Sequence, residues 1–97
     1  MPMSDGELTR LAVLRWELGG DPLVDWRYAG SIVDKMRADE WDFEFTHCCM
    51  RDAGALFSRV IKGGCSRECH AKRSESPTRA ITLAALLAVK AVTEEQV

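Results

Sequence analysis

The chain has 97 residues, a length typical of one domain. Its hydrophobic fraction of 46% is ordinary for a globular protein and argues against a disordered chain. The formal net charge of −2 is too balanced to favour a nucleic-acid or membrane partner on electrostatic grounds.

The start of the sequence lacks a targeting signal. Residues 1–6 carry Asp5 and contain neither a basic region nor an apolar run. The longest apolar stretch, residues 80–92, is interrupted by Thr82 and Lys90 and is too short to cross a bilayer. We therefore predict a cytoplasmic protein that has no membrane contact and keeps its cysteines reduced.

Two helices are predicted before any strand. Ser4 and Glu7 have the spacing of a capping box, and Gly19-Gly20 is predicted to end the first helix. Asp25 can cap the second helix. The apolar stripes that predict these helices are Leu8, Leu11, Leu14 and Leu18 in the first, and Trp26, Ala29, Ile32, Val33 and Met36 in the second.

Three strands and a last helix follow. Residues 41–46 alternate strictly between aromatic and polar side chains, which predicts a strand with one buried face. Residues 55–61 and 65–73 are predicted to pair through a hairpin at Gly63-Gly64. Ser76-Pro77 opens a helix that runs to Val92, and the tail from about residue 93 is predicted to be frayed. The predicted fold is α+β, a three-stranded antiparallel sheet packed by helices in the order α-α-β-β-β-α.

The alternation predicts the two faces of the sheet. We expect Asp42 and Glu44 to be exposed, and Leu56 and Val60 to lie beside them, which would make this face half apolar. Either the first helix or a partner would cover such a face. The opposite face is expected to bury Trp41, Phe43 and Phe45 against Trp26, Val33, Ile81 and Ala85.

The cysteines are the residues most capable of chemistry. Thiolates with His47 or His70 suit zinc, but the spacing is poor, because adjacent residues on a strand point to opposite faces. We therefore expect free thiols, no metal, no cofactor and no catalytic cysteine. Zinc, a disulfide and a cysteine–histidine nucleophile remain as alternatives for Cys48, Cys49, Cys65 and Cys69.

Several segments together resemble the phage ABA sandwich family. The central segments are Asp25-Trp26, Ala29, residues 32–37 and residues 41–43. The opening helix at residues 7–16 also matches, and residues 76–86 resemble a closing helix that often reads PEAICLAAL. The resemblance implies a small phage or prophage protein with helices on both sides of a sheet, present in the host cytoplasm. It implies no reaction, and the cysteine-rich strands depart from the family's pattern.

The favoured hypothesis is a non-enzymatic protein that binds and inhibits a host or defence protein, as anti-CRISPR proteins do. The predicted interface comprises Asp39, Glu40, Asp42, Glu44, Leu56 and Val60. A homodimer is also predicted, because the last helix is apolar nearly all round, with a seam at Leu83, Leu87 and Ala91.

Two alternatives stay open. The first is an oligomeric protein that binds a nucleotide signal in a basic pocket, formed by Arg59, Arg67, Lys72 and Arg73. The second is a double-stranded RNA-binding module, because the order helix, three strands and helix from Asp25 onward matches that domain. Its basic residues near the last helix would be Lys72, Arg73 and Arg79.

Overall fold

The computed structural model describes residues 2–47, 52–61, 63–64 and 66–97. Its strands form one antiparallel sheet in the order β1-β2-β3, so the predicted α+β fold is confirmed. The elements are α1 (Asp5–Trp16), α2 (Trp26–Ala38), β1 (Asp42–His47), β2 (Ala53–Val60), β3 (Arg67–Ser74), α3 (Pro77–Ala88) and a 3-10 helix (Glu94–Gln96).

Each of the three α-helices begins at the capping residue that the sequence predicts. The Ser4 hydroxyl accepts a hydrogen bond from the Glu7 N–H at 3.2 Å, and the Asp25 carboxylate accepts one from the Arg27 N–H at 2.9 Å. Ser76 accepts from the Arg79 N–H at 3.4 Å. These side chains satisfy backbone donors that have no partner inside the helix.

The helices end differently from the prediction. Left-handed backbone occurs at Glu17, Glu40 and Lys90, with φ of 53°, 67° and 60°, and no glycine takes that role. After α2 the Trp41 N–H donates to the Met36 carbonyl at 3.1 Å, which closes a Schellman motif. The first helix therefore ends before Gly19-Gly20. The tight end of α2 places Trp41 directly before the first strand.

The register of the sheet follows the predicted alternation. Phe43 lies opposite Phe57, and Glu44 lies opposite Leu56. Because directly opposed residues share a face, aromatic side chains gather on one side of the sheet and carboxylates on the other. Phe57, at the centre of β2, is fully buried.

All three helices lie on the aromatic side of the sheet. Helix α3 packs on β2 and β3, and α2 and α1 pack against α3. Every residue from Ala80 to Ala88 is buried by these neighbours. The described helices therefore cover the sheet on one face only, whereas the family resemblance implies helices on both faces.

The predicted aromatic core is correct at one end of β1 and wrong at the other. Trp41 is buried and Phe43 is half-buried, but Phe45 is 38% exposed and Trp26 is 56% exposed. Burial on this face thus decreases along β1 from Trp41 to Phe45. At the uncovered end Trp26 meets Phe45 edge-on, with ring centroids 6.1 Å apart.

Helix α1 contacts α3 along a narrower stripe than the leucine spacing predicts. Leu8, Ala12 and Trp16 are its buried residues, whereas Leu14 is 71% exposed.

The C-terminal tail is ordered, although the sequence predicts that it is frayed. It forms the 3-10 helix, and the Gln96 carbonyl accepts a hydrogen bond from the Met3 N–H at 2.9 Å. Among the described residues, no helix has the length and apolarity that a membrane crossing needs.

We expect Phe57→Ala to lower the free energy of unfolding by about 3–5 kcal/mol, because it leaves a cavity in a closed core. Phe45→Ala removes a ring that is already partly in water, so we expect a loss of about 1–2 kcal/mol. Urea denaturation of both variants measures the difference, and equal losses would contradict the burial gradient along the sheet.

Candidate functional site

One side of the sheet is covered by none of the described helices. We call it the open face. Strand β2 runs through its centre and contributes Leu56, Ser58 and Val60. The flanking strands contribute Asp42, Glu44 and Thr46 from β1, and Arg67, Cys69, Ala71 and Arg73 from β3.

The open face has an apolar centre. Leu56 is half-buried by its strand neighbours alone, and the side chain of Val60 is 56% exposed. The α1 helix, which could have covered this surface, packs against α3 on the other side of the sheet. Of the two alternatives for a half-apolar face, cover by the first helix is therefore excluded.

Charged side chains surround that centre. Arg67 pairs with the Asp42 carboxylate and donates to the Ser58 hydroxyl at 3.1 Å, so it spans all three strands. This contact buries Ser58 to 7% exposure on an otherwise open surface. Glu44 is exposed and has no ion pair among the described side chains. The sequence analysis names Arg67 for the basic pocket of the nucleotide hypothesis and not for this face, although its alternation with Cys69 on the third strand places it here.

The six predicted interface residues fall into two neighbouring groups. Asp42, Glu44, Leu56 and Val60 lie together on the open face, where the sequence places them. Asp39 and Glu40 lie in the turn between α2 and β1, beyond the end of the sheet. That turn borders a cleft of about 510 Å³, which Asp42 and Val60 also line. Asp39, Glu40 and Asp42 therefore border one cleft, which Arg59 also lines, whereas Glu44 lies farther along β1.

The predicted dimer seam lies elsewhere and is less accessible. Leu83 and Leu87 are 3% and 5% exposed, and Ala91 is half-buried. They pack into the core of the single chain, because α3 is covered by the sheet on one side and by helices on the other. The last helix thus presents no apolar surface of the kind that the seam requires.

The basic residues of the nucleotide hypothesis do not form one pocket. Arg67 and Arg73 lie on the open face, and Arg59 and Lys72 lie on the covered face. Three of the four have acidic partners: Arg67 pairs with Asp42, Arg59 with Glu68, and Lys72 with Glu94.

The RNA-binding hypothesis needs a basic, accessible start of the last helix. In α3, Arg79 pairs with Asp5 of α1, which neutralises its charge. The Thr78 hydroxyl donates to the Leu23 carbonyl of the connector before α2, so this end of α3 is covered. The arrangement leaves little positive surface for a phosphate backbone.

A polar cluster at the end of the covered face was not anticipated from the sequence. The Arg59 guanidinium lies 4.3 Å above the Trp41 ring, and its Nε donates to Glu68 at 3.3 Å. His70 Nε2 lies 2.8 Å from the other oxygen of Glu68. These hydrogen bonds, from His70 first and then from Arg59, hold the pKa of Glu68 below its ordinary value. The cluster therefore links β3 to β2 and to Trp41, the residue that precedes β1.

Only one of the four cysteines lies within the described residues. Cys69 is exposed on the open face, and its neighbour His70 points to the covered face, so the two do not form a reactive pair. Cys48, Cys49 and Cys65 lie outside the described residues, and the expectation about zinc stays a prediction. Within the described ranges, no three metal-ligating side chains come together.

Comparison with protein-family models, curated proteins and solved structures gives no match for this chain. The resemblance to the phage ABA sandwich family, on its helix and strand patterns, therefore remains a prediction.

The Glu68 pKa gives a pH dependence of stability with a defined sign. Because folding lowers this pKa, the carboxylate stabilises the fold above its ordinary pKa and loses that contribution as pH falls through the folded value. We expect the stability difference between the protein and Glu68→Gln to be largest near neutral pH and to vanish in acid. Denaturant titrations at several pH values measure it, with Glu44→Gln as the control. A difference that does not change with pH would contradict this assignment.

Proposed function

We propose that this chain is a non-enzymatic binding protein and that its open face is the interface for another protein. The observation that carries the proposal is the half-apolar centre at Leu56 and Val60, which no described helix covers. Apolar side chains that lie together on an uncovered surface with polar residues around them are a feature of protein interaction sites.

The charge arrangement supports a protein partner. Interfaces between proteins commonly have an apolar centre and a polar rim, and here Asp42, Glu44, Arg67 and Arg73 supply that rim. The rim contains both signs of charge, so it favours a partner with a matched pattern over a uniformly charged polymer. This is why we favour a protein over RNA.

The identity of the partner rests on the family resemblance. If the chain is a phage or prophage product, a host or defence protein in the host cytoplasm is the partner that we propose. Inhibition by stoichiometric binding would need no reaction. Two charged groups of the open face, Arg67 and Asp42, hold each other in place, and we infer that such a fixed pair suits recognition better than turnover.

The first experiment locates the interface. We propose capture of partners from the lysate of the native host by the protein, by Leu56→Arg and by the matched control Leu14→Arg, whose leucine is exposed on α1. We expect a stoichiometric partner to bind the protein and the control, and to bind Leu56→Arg at least about tenfold more weakly. Circular dichroism checks that the variants fold. Equal capture by both variants would contradict an interface at the open face.

The second experiment separates binding from turnover. Once a target is known, inhibition should saturate near one equivalent and should weaken when Asp42 and Glu44 are both replaced by lysine. Inhibition far below one equivalent that grows with time would identify an enzyme and overturn the proposal.

A further inference from the structure

Strand β1 has a free outer edge. It pairs with β2 along one side, and no strand of the described residues pairs with the other. Five of its six residues are exposed, which makes it the least covered strand of the sheet. The backbone N–H and C=O groups on a free edge can form hydrogen bonds with an added strand.

The two edges of the sheet differ in protection. Charged side chains discourage pairing at an edge, lysine most of all, and β3 carries Arg67, Lys72 and Arg73. The charged side chains of β1 are the carboxylates Asp42 and Glu44, which leave the edge open to a basic segment. Strand β1 has no lysine, arginine or proline, and its register with β2 is continuous from Asp42 to His47, without a bulge. The outer edge of β1 thus lacks the lysine, proline and bulge that commonly block strand addition.

An aromatic surface lies beside this edge. The rings of Phe45 and His47 are 6.2 Å apart, and Trp26 from the start of α2 packs edge-on against Phe45. We call Trp26, Phe45 and His47 the aromatic ledge. All three are exposed, although large aromatic side chains are usually among the most buried. Alternate side chains of an added strand would lie on this ledge.

The other face of the same strand is acidic. Asp42 and Glu44 alternate with the aromatic residues and lie on the open face. Side chains of an added strand that point to this face would lie next to the two carboxylates. Opposite charges in neighbouring strands are favourable, so lysine or arginine suits these positions.

We propose that the outer edge of β1 binds an extended segment of a partner protein as a fourth strand, and that this segment alternates apolar residues with lysine or arginine. Main-chain hydrogen bonds would supply much of the affinity, and the ledge and the carboxylates would select the sequence. The proposal goes beyond the open face, because the backbone edge of β1 and the aromatic ledge lie outside that face and only Asp42 and Glu44 belong to both surfaces. It holds whether or not the open face is an interface.

A second copy of this chain is a poorer occupant. Two β1 strands paired about a two-fold axis would bring Asp42 and Glu44 of one copy close to the same carboxylates of the other. Like charges on neighbouring strands destabilise pairing. The acidic positions thus disfavour self-association and favour a basic segment.

The test uses a random library of short displayed peptides, selected on the full chain. We expect enriched sequences to alternate apolar residues with lysine or arginine. Titration of an enriched peptide into ¹⁵N-labelled protein should shift the amides of β1 and the indole signal of Trp26. Phe45→Lys and Glu44→Lys should each weaken binding about tenfold or more. Leu14→Lys, on α1 and far from this edge, should leave it unchanged.

Three outcomes would overturn the proposal. One is a selection that yields no binder or no alternation. The second is binding that survives in Phe45→Lys. The third is a set of shifts confined to Leu56 and Val60, which would support the open face as the interface and reject the edge of β1. Sedimentation of the free protein tests whether a second copy of the chain occupies the edge. A dimer that dissociates in Phe45→Lys would show that the edge binds a second copy and would overturn the proposed partner segment.

Discussion

Helix α3 has almost no polar side, and its burial determines where everything else lies. The sheet covers one side of it, and α1 and α2 cover the rest. Small residues such as Ala80, Ala84 and Ala88 allow this close approach, and each is at most 2% exposed. A chain of this size has too little apolar material to cover a second surface as well. Because α1 and α2 both pack against α3, neither of them covers the open face of the sheet.

Arg67 organises the open face, although its side chain lies outside the hydrophobic core. Arg67 reaches from β3 across Ser58 to Asp42 and ties the two edge strands together over the middle one. An exposed ion pair of this kind adds little stability. Its larger effect is geometric, because it fixes a guanidinium and a carboxylate beside the apolar centre. A partner would thus meet a surface that is already arranged.

The sequence predicts the sheet better than the helix ends. Strict alternation in β1 is a clear, one-sided signal, so the face that Phe43 shares with Phe57 and the face that Glu44 shares with Leu56 follow from it, whereas the exact pairing comes from the structure. Helix ends were mislocated because the left-handed residues are charged and not glycine, and tertiary contacts outweigh that local preference. The exposure of Trp26 and the contacts of Arg67 with Ser58 and Asp42 depend on distances between helices and strands. The periodicity of a sequence carries no information about those distances.

The two proposed surfaces share the carboxylates of β1. The two carboxylates differ in whether they already form an ion pair. Asp42 is already bonded to Arg67, so a basic side chain from a partner would have to compete for it. Glu44 has no ion pair among the described side chains and lies between Leu56 and the free edge of β1. A cation placed beside Glu44 gains an interaction without breaking one. Glu44 is therefore the carboxylate through which a basic partner would act, at the open face and at the edge alike.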